Sequence, residues 1–283
     1  MKLYKTKRGA ILHSDNGYCL IDTDWDTLIN NDNLHQYLLG ILNTNPESLQ
    51  EDEALTILEN VIEAPIGQQE VWAAGVTYLR SRDARKEESQ DSGGASMYDK
   101  VYDADRPELF FKSLAHRVAA HNEHVNIRKD STWNVPEPEL TLFINSSGNI
   151  QAYTIGNDMS SRSIEGENTL YLPQAKIYER SAALGPCLYV PEKPISDKTM
   201  IEMVIKRNSN EVFRDSVSIS RMKRSLNELV SYLYAECDFK KGCFLMTGTC
   251  IVPPNDFTLN ENDEVSISID NIGTLTNHIA IRL

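Results

Sequence analysis

Glu137 and Glu139 flank Pro138, and Asp158 follows in the run Gly156-Asn157-Asp158-Met159-Ser160-Ser161-Arg162. Side chains two apart in an extended strand share a face, so the two glutamates point the same way. Thr141 to Asn145 continues as a strand, Ser146 to Asn149 reads as a tight turn, and Ile150 to Ile155 returns, which predicts a β-hairpin. With Ser147-Gly148 as a two-residue loop Asp158 faces Glu137, and with Gly148-Asn149 it faces Glu139. Either register gathers three carboxylates. Such a cluster repels itself and is costly to keep ionised without a cation. An all-oxygen set with room for water and substrate suits Mg²⁺, with Mn²⁺ or Ca²⁺ as substitutes, and no Cys/His cluster offers zinc a site. Pro138 cannot donate to a ladder, which puts the pair at an edge or bend. The same spacing also fits solvated glutamates at a strand end and an aspartate in a turn.

The elements that would position this cluster belong to an α+β, β-rich chain. About the first sixty residues alternate short β-like runs with amphipathic helical stretches in which Leu34, Leu38, Leu39 and Leu42 recur at helical spacing. Composition changes at Ala64-Pro65-Ile66-Gly67, so residues 1–64 are expected as a small N-terminal domain and 65–283 as the main one. Glu70 to Thr77 reads as the first main strand, with β signals at 107–112, 183–190, 200–207, 242–247 and 265–269 and one clear helix from Ser225 to Glu236. No apolar run approaches the length of a membrane span, and the N-terminus shows no signal-peptide pattern. Five cysteines without a C-x-x-C give no disulfide framework. A cytoplasmic protein is expected. Its net charge of -13 opposes binding to nucleic acid or anionic membranes, so a small anionic substrate would need local positive charge.

Several segments could supply it. Arg80 and Arg82 follow the first strand and could clamp a carboxylate. Strand alternation puts Glu108 and Lys112 on one face, as an acid and a base flanking a substrate or as a simple ion pair. Lys176 sits among mostly apolar neighbours that would lower its pKa if buried. Leu245 to Thr249 is a strand-to-turn segment whose hydroxyls and N–H groups could hold an anion. Arg85 to Lys100 is polar and poor in aliphatics, as in a mobile loop or lid. His116, His121 and His124 are a weaker metal candidate, because imidazoles compete poorly with carboxylates for a hard ion. No G-x-S-x-G, P-loop or G-x-G-x-x-G appears, which removes support for those chemistries.

In order and type, Gly75-Val-Thr-Tyr78, Pro107-Glu-Leu-Phe-Phe-Lys112, Glu137 and Glu139, Asn157-Asp158-Met-Ser-Ser-Arg162, Lys176, Leu184-Gly-Pro186 and Thr247-Gly-Thr249 resemble the fumarylacetoacetate hydrolase family over roughly Val71 to Leu283. The resemblance implies a mixed β-roll domain, usually a homodimer or higher homo-oligomer. It also implies Glu137, Glu139 and Asp158 as Mg²⁺ ligands with Lys176 beside the substrate. Hydrolytic members carry G-x-N-Y-x-x-H-x-x-E after the first strand, where His and Glu activate water. Here Ser81 and Ala84 stand in those places. This departure, with His121 to Arg128 and Ser131 to Glu139, is similar to the branch that dehydrates 2-keto-3-deoxy sugar acids such as 2-keto-3-deoxy-D-arabinonate. The expected reaction is dehydration of a 2-keto-3-deoxypentonate to a 2,5-dioxo acid, with Lys176 and Glu108 as base and acid. Tyr78, Arg80, Ser81, Arg82, Lys112 and Thr249 are the expected substrate contacts. The alternative is C–C hydrolysis or decarboxylation of a β-diketo acid at the same metal site.

Overall fold

A computed structural model describes residues 1–44, 46–88 and 95–282 of the chain. Its frame is an eleven-stranded mixed sheet with Pro138–Ile144 and Ile150–Asp158 at the centre. Cys243–Met246 pairs antiparallel to Pro138–Ile144 and parallel to Glu70–Gly75, which is followed at the edge by Glu108–Leu114. On the other side Ala182–Tyr189 pairs with Ile150–Asp158 and then with Lys2–Thr6. The leading residues thus add Lys2–Thr6, Gly9–Ser14, Gly17–Ile21 and Glu47–Leu49 to the same sheet, as its far margin.

Every residue of Pro138–Ile144 is buried, as expected of a central strand covered on both faces. Leu140, Leu142 and Ile144 enter one core with Ile201, Met203 and Ile267 of a second, five-stranded sheet. That core also takes Leu229, Val230 and Leu233 of the helix Leu226–Leu233, whose N-cap Ser225 accepts a hydrogen bond from the Glu228 N–H. Phe143, Phe244 and Met246 face the opposite way, into a core with Leu3, Leu12, Leu28, Leu34 and Leu38. The result is a strand-rich α+β fold with a small N-terminal part. No helix among the described residues is long and apolar enough to cross a membrane.

The hairpin decides how the carboxylates meet. Its strands pair Pro138 with Asn157 and Phe143 with Ala152, and beyond them the backbone N–H groups of Glu137 and Asp158 each donate to the other's carbonyl, at 3.2 and 2.9 Å. Asp158 therefore faces Glu137, the first of the two expected registers. The turn reaches it by a different route. Asn145 pairs with Asn149 around Gly148, which adopts φ +78°, and Gln151 is the extra residue of a bulge that moves the pairing by one. The Gln151 side chain anchors that bulge, accepting from Leu34 N–H at 2.9 Å and donating to Asp32 O at 3.0 Å.

The expected loop at 85–100 is corrected in part. Helices Leu79–Glu88 and Ala95–Asp103 occupy its two sides, while residues 89–94 lie outside the described set. Asp99 ties the helices together, 2.7 Å from Lys86 Nζ and 3.7 Å from Arg82 Nε.

Candidate metal centre and active site

One face of the central hairpin changes character along its length. Phe143 and Ala152 are cross-strand partners in the apolar core; towards the far end come Glu139 opposite Gly156, then Glu137 opposite Asp158. Gly156 is needed opposite Glu139 because a Cβ there would lie 2.3 Å from Thr141 Oγ1. One oxygen from each of Glu137, Glu139 and Asp158 falls within a 4.8 Å grouping, and all three residues are buried.

Lys176 ends the short helix Leu172–Lys176 and reaches into this group. Its Nζ donates to Glu137 Oε2 at 2.8 Å, Asp158 Oδ2 at 3.0 Å and Ser160 Oγ at 2.6 Å. Arg162 Nη2 donates to Glu137 Oε1 at 3.2 Å, and Arg85 lies 3.6 Å from the same oxygen while also pairing with Glu165. Glu139 has different company: the Gly248 N–H donates to its Oε2 at 2.5 Å. Burial, followed by the charges of Asp158 and Glu137, pushes the Glu139 carboxyl well above the usual carboxylate range. Burial pushes Asp158 up too, but the ammonium groups of Lys112 and Lys176 outweigh it and hold that carboxyl low.

A hard divalent cation fits this donor set. The ligands are oxygen only, they converge, and one carboxyl is driven to keep a proton that a cation would displace. Among the described residues no other grouping of three His, Cys, Asp or Glu side chains converges in this way. His121 Nδ1 accepts from the Thr276 N–H at 3.1 Å, and the His124 ring lies 5.9 Å from that of His278.

Gly75, Ser81, Arg85, Phe110, Arg162 and Thr249 border the cleft above the carboxylates and Lys176. Two of the expected substrate contacts, Ser81 and Thr249, are in this border. Ser81 Oγ is already engaged, accepting from Tyr78 N–H at 3.2 Å and donating to Tyr78 O at 2.7 Å. The other four expected contacts lie off it. Tyr78 is fully buried. Arg80 lies beside Cys250. Arg82 bonds Asp83 at 2.8 Å and stacks 5.0 Å from the Tyr102 ring. The reason is that the chain turns helical at Leu79, so Ser81 and Arg85, four apart, share the inward face and Arg82 turns away.

Lys112 is also corrected. It is fully buried beneath the carboxylates, with Nζ 2.5 Å from Asp158 Oδ1, and it does not reach the cleft. It is the extra residue of a bulge, because Val71 pairs with Ser113 and Trp72 with Phe111. Glu108 is not among the residues bordering the cleft but lies across from Gly75, which is, with its carboxyl over that residue; a Cβ on Gly75 would come within 2.0 Å of Glu108 Oε2. Burial raises the Glu108 carboxyl pKa, with Arg85 and Lys176 opposing. Arg85, Arg162 and Ser160 were not singled out from the sequence, although the helical spacing from Ser81 to Arg85 carried a signal.

Residues 71–280 match the family model described as fumarylacetoacetate (FAA) hydrolase C-terminal. The chain belongs to the fumarylacetoacetate hydrolase family. It is 46% identical over 217 residues to the probable 2-keto-3-deoxyxylonate dehydratase of Haloferax volcanii, covering 76% of this chain and 73% of that one. It is 41% identical over 217 residues to the 2-dehydro-3-deoxy-D-arabinonate dehydratase of Saccharolobus solfataricus, covering 76% and 72%. Among solved structures, 2-keto-3-deoxy-D-arabinonate dehydratase complexed with magnesium and 2,5-dioxopentanoate superposes with a TM-score of 0.83 at 33% identity, covering 100% of this chain and 99% of that one. This family membership agrees with the strand-rich fold. The departure at Ser81 and Ala84 is structural as well as sequential, since Ser81 caps its own turn and Ala84 is buried.

Proposed function

We propose that this chain is a Mg²⁺-dependent hydro-lyase that converts a 2-keto-3-deoxypentonate to 2,5-dioxopentanoate. The observation that carries the reading is the buried, oxygen-only triad with Lys176 at its centre, in a cleft where Ser81 replaces the imidazole a water-activating dyad would need. The likeness to dehydratases that handle such acids supports the same substrate class.

Bound at Glu137, Glu139 and Asp158, Mg²⁺ supplies a Lewis acid that polarises the C2 carbonyl and stabilises negative charge on its oxygen. Lys176, held by Glu137, Asp158 and Ser160, is the base for the C3 proton. Glu108, whose raised pKa favours the protonated carboxyl, delivers a proton to the departing C4 hydroxyl. Loss of water leaves a C3–C4 double bond conjugated to C2. Transfer of a C5 proton out and of one proton back to C3 gives a C4–C5 enol, which becomes the C5 aldehyde. Arg85 and Arg162 bring positive charge to the cleft for the substrate carboxylate, and Phe110 makes part of its wall apolar.

A homodimer in the cytoplasm completes the reading; all five cysteines are free, as a reducing compartment requires. Light scattering on the purified chain tests the dimer. The decisive assay offers a panel of 2-keto-3-deoxy acids and an acylpyruvate to the wild type and to Glu137→Ala, with and without EDTA. Turnover of a pentonate that EDTA and the substitution both abolish is expected. Turnover indifferent to both would sink the metal-dependent mechanism, and turnover of the acylpyruvate alone would favour C–C cleavage.

A further inference from the structure

Lys112 contributes a buried charge that the reaction scheme leaves unused. Its side chain is fully enclosed, and burial lowers its pKa. Its ammonium donates to the Met159 carbonyl at 3.0 Å and the Lys176 carbonyl at 2.5 Å, and it forms an ion pair with Asp158 Oδ1 at 2.5 Å. Fully buried and outside the cleft border, Lys112 is directed at the protein and away from a substrate.

All three acceptors lie on the two segments that carry site residues. Asp158 and Met159 are where the hairpin strand ends, and Lys176 is the last residue of its helix. Lys112 and Lys176 also divide the Asp158 carboxylate between them, Lys112 on Oδ1 and Lys176 on Oδ2. That division fixes the plane of the carboxylate and leaves Oδ2 on the Lys176 side. Simple packing does not account for the charge. Burying an ammonium costs several kcal/mol, whereas a methionine of similar length would fill the space without that cost.

We propose that Lys112 is a positioning residue that presents Asp158 to the bound divalent cation and sets the main chain from which Lys176 extends. The inference rests on the reading of the triad as a Mg²⁺ site and is independent of which keto acid is turned over. The test is Mg²⁺ affinity without substrate, by calorimetry, on wild type, Lys112→Met and Lys112→Gln, with thermal unfolding recorded for each. Lys112→Met should raise the Mg²⁺ Kd by about 10–100-fold, the usual effect of removing a group that orients a metal ligand. Lys112→Gln, which keeps N–H donors, should lose less, and KM for the keto acid at saturating Mg²⁺ should stay near the wild-type value. An unchanged Mg²⁺ Kd in folded Lys112→Met would overturn the proposal, as would a raised KM with unchanged Mg²⁺ affinity, which means direct substrate contact. If Lys112→Met does not fold, an unchanged Kd in Lys112→Gln overturns it and a raised one supports it. Failure of every keto acid to react would leave these affinities readable, whereas a wild type that binds no Mg²⁺ would remove the metal reading first.

Discussion

The two flanks of the carboxylate cluster are built on opposite principles. Glu137 and Asp158 are surrounded by side-chain cations: Lys176 contacts both, Arg162 and Arg85 approach Glu137, and Lys112 takes the far oxygen of Asp158. Two residues away along the strand, Glu139 meets a main-chain N–H, and its pKa moves up while that of Asp158 moves down. The difference teaches where a divalent ion is needed. One flank is neutralised by the protein itself, and the other is left to acquire a proton or a metal.

The largest effect should come from removing the neutralised acid. Glu137→Gln leaves Lys176, Arg162 and Arg85 buried with less compensation, and the cost of breaking such a network is about 3–5 kcal/mol. Glu139→Gln removes a carboxyl that burial already drives toward neutrality, so the metal-free protein should lose little stability. Both variants should lose Mg²⁺-dependent turnover. Thermal unfolding in EDTA reads the contrast directly, and equal losses for the two variants would contradict the division into flanks.

Next in size are the acid and base. Lys176→Met and Glu108→Gln should each lower kcat by about 10²–10⁴-fold, the usual contribution of a positioned proton donor or acceptor. The folded-state pKa of Glu108 is raised, so its acid form persists above the ordinary carboxylate range and is lost as pH rises through the shifted value. Wild-type kcat should therefore fall on the alkaline side of that value, and Glu108→Gln should lack this limb. A profile that keeps the same limb in Glu108→Gln assigns it to another group.

Gly75→Ala sharpens the point that Glu108 is placed by what Gly75 lacks. The new Cβ would fall 2.0 Å from Glu108 Oε2, so the carboxyl must move. A displacement of about 1 Å in a reacting group costs up to ~100-fold in rate. Mg²⁺ affinity should hold, since Gly75 contacts none of the three ligands through a side chain. A parallel fall in Mg²⁺ affinity would instead place Glu108 in the metal's surroundings.

The sequence made the carboxylate side legible and hid much of the cationic side, for a physical reason. Strand periodicity and hairpin pairing act over a few residues, so the face shared by Glu137 and Glu139 and the arrival of Asp158 opposite one of the two could be worked out from spacing, and the structure selects Glu137. The turn could not, because the bulge at Gln151 is held by Asp32 and Leu34, which are distant in sequence. Arg80 and Arg82 were expected at the substrate on the strength of proximity to a strand, but helical geometry from Leu79 delivers Arg85 instead. Lys112 was expected by strand alternation to share a face with Glu108. A bulge and burial then turned an expected substrate contact into a support beneath the site. Continuity of the main sheet into residues 2–21 was equally out of reach, since the pairing of Leu3 with Leu188 spans most of the chain.

The smallest expected effect is the most direct test of the Glu139 flank. A carboxyl whose folded pKa lies above its unfolded value binds more protons when folded, between those two pKa values. Stability of the metal-free protein should therefore fall as pH rises from about 4.5 through the shifted value, because the unfolded chain gives up that proton first. Mg²⁺ binding must expel the proton wherever it is present, so adding the metal to weakly buffered protein should release a fraction of one proton per chain, shrinking as pH rises. Asp158, held low by Lys112 and Lys176, contributes little to that release. Potentiometric titration with MgCl₂ should show the release for wild type, while a variant that binds Mg²⁺ through the remaining acids, Glu139→Gln at high metal concentration, should show almost none. Equal release from both would mean that the displaced proton sits elsewhere in the cluster, and the contrast between its flanks would have to be redrawn.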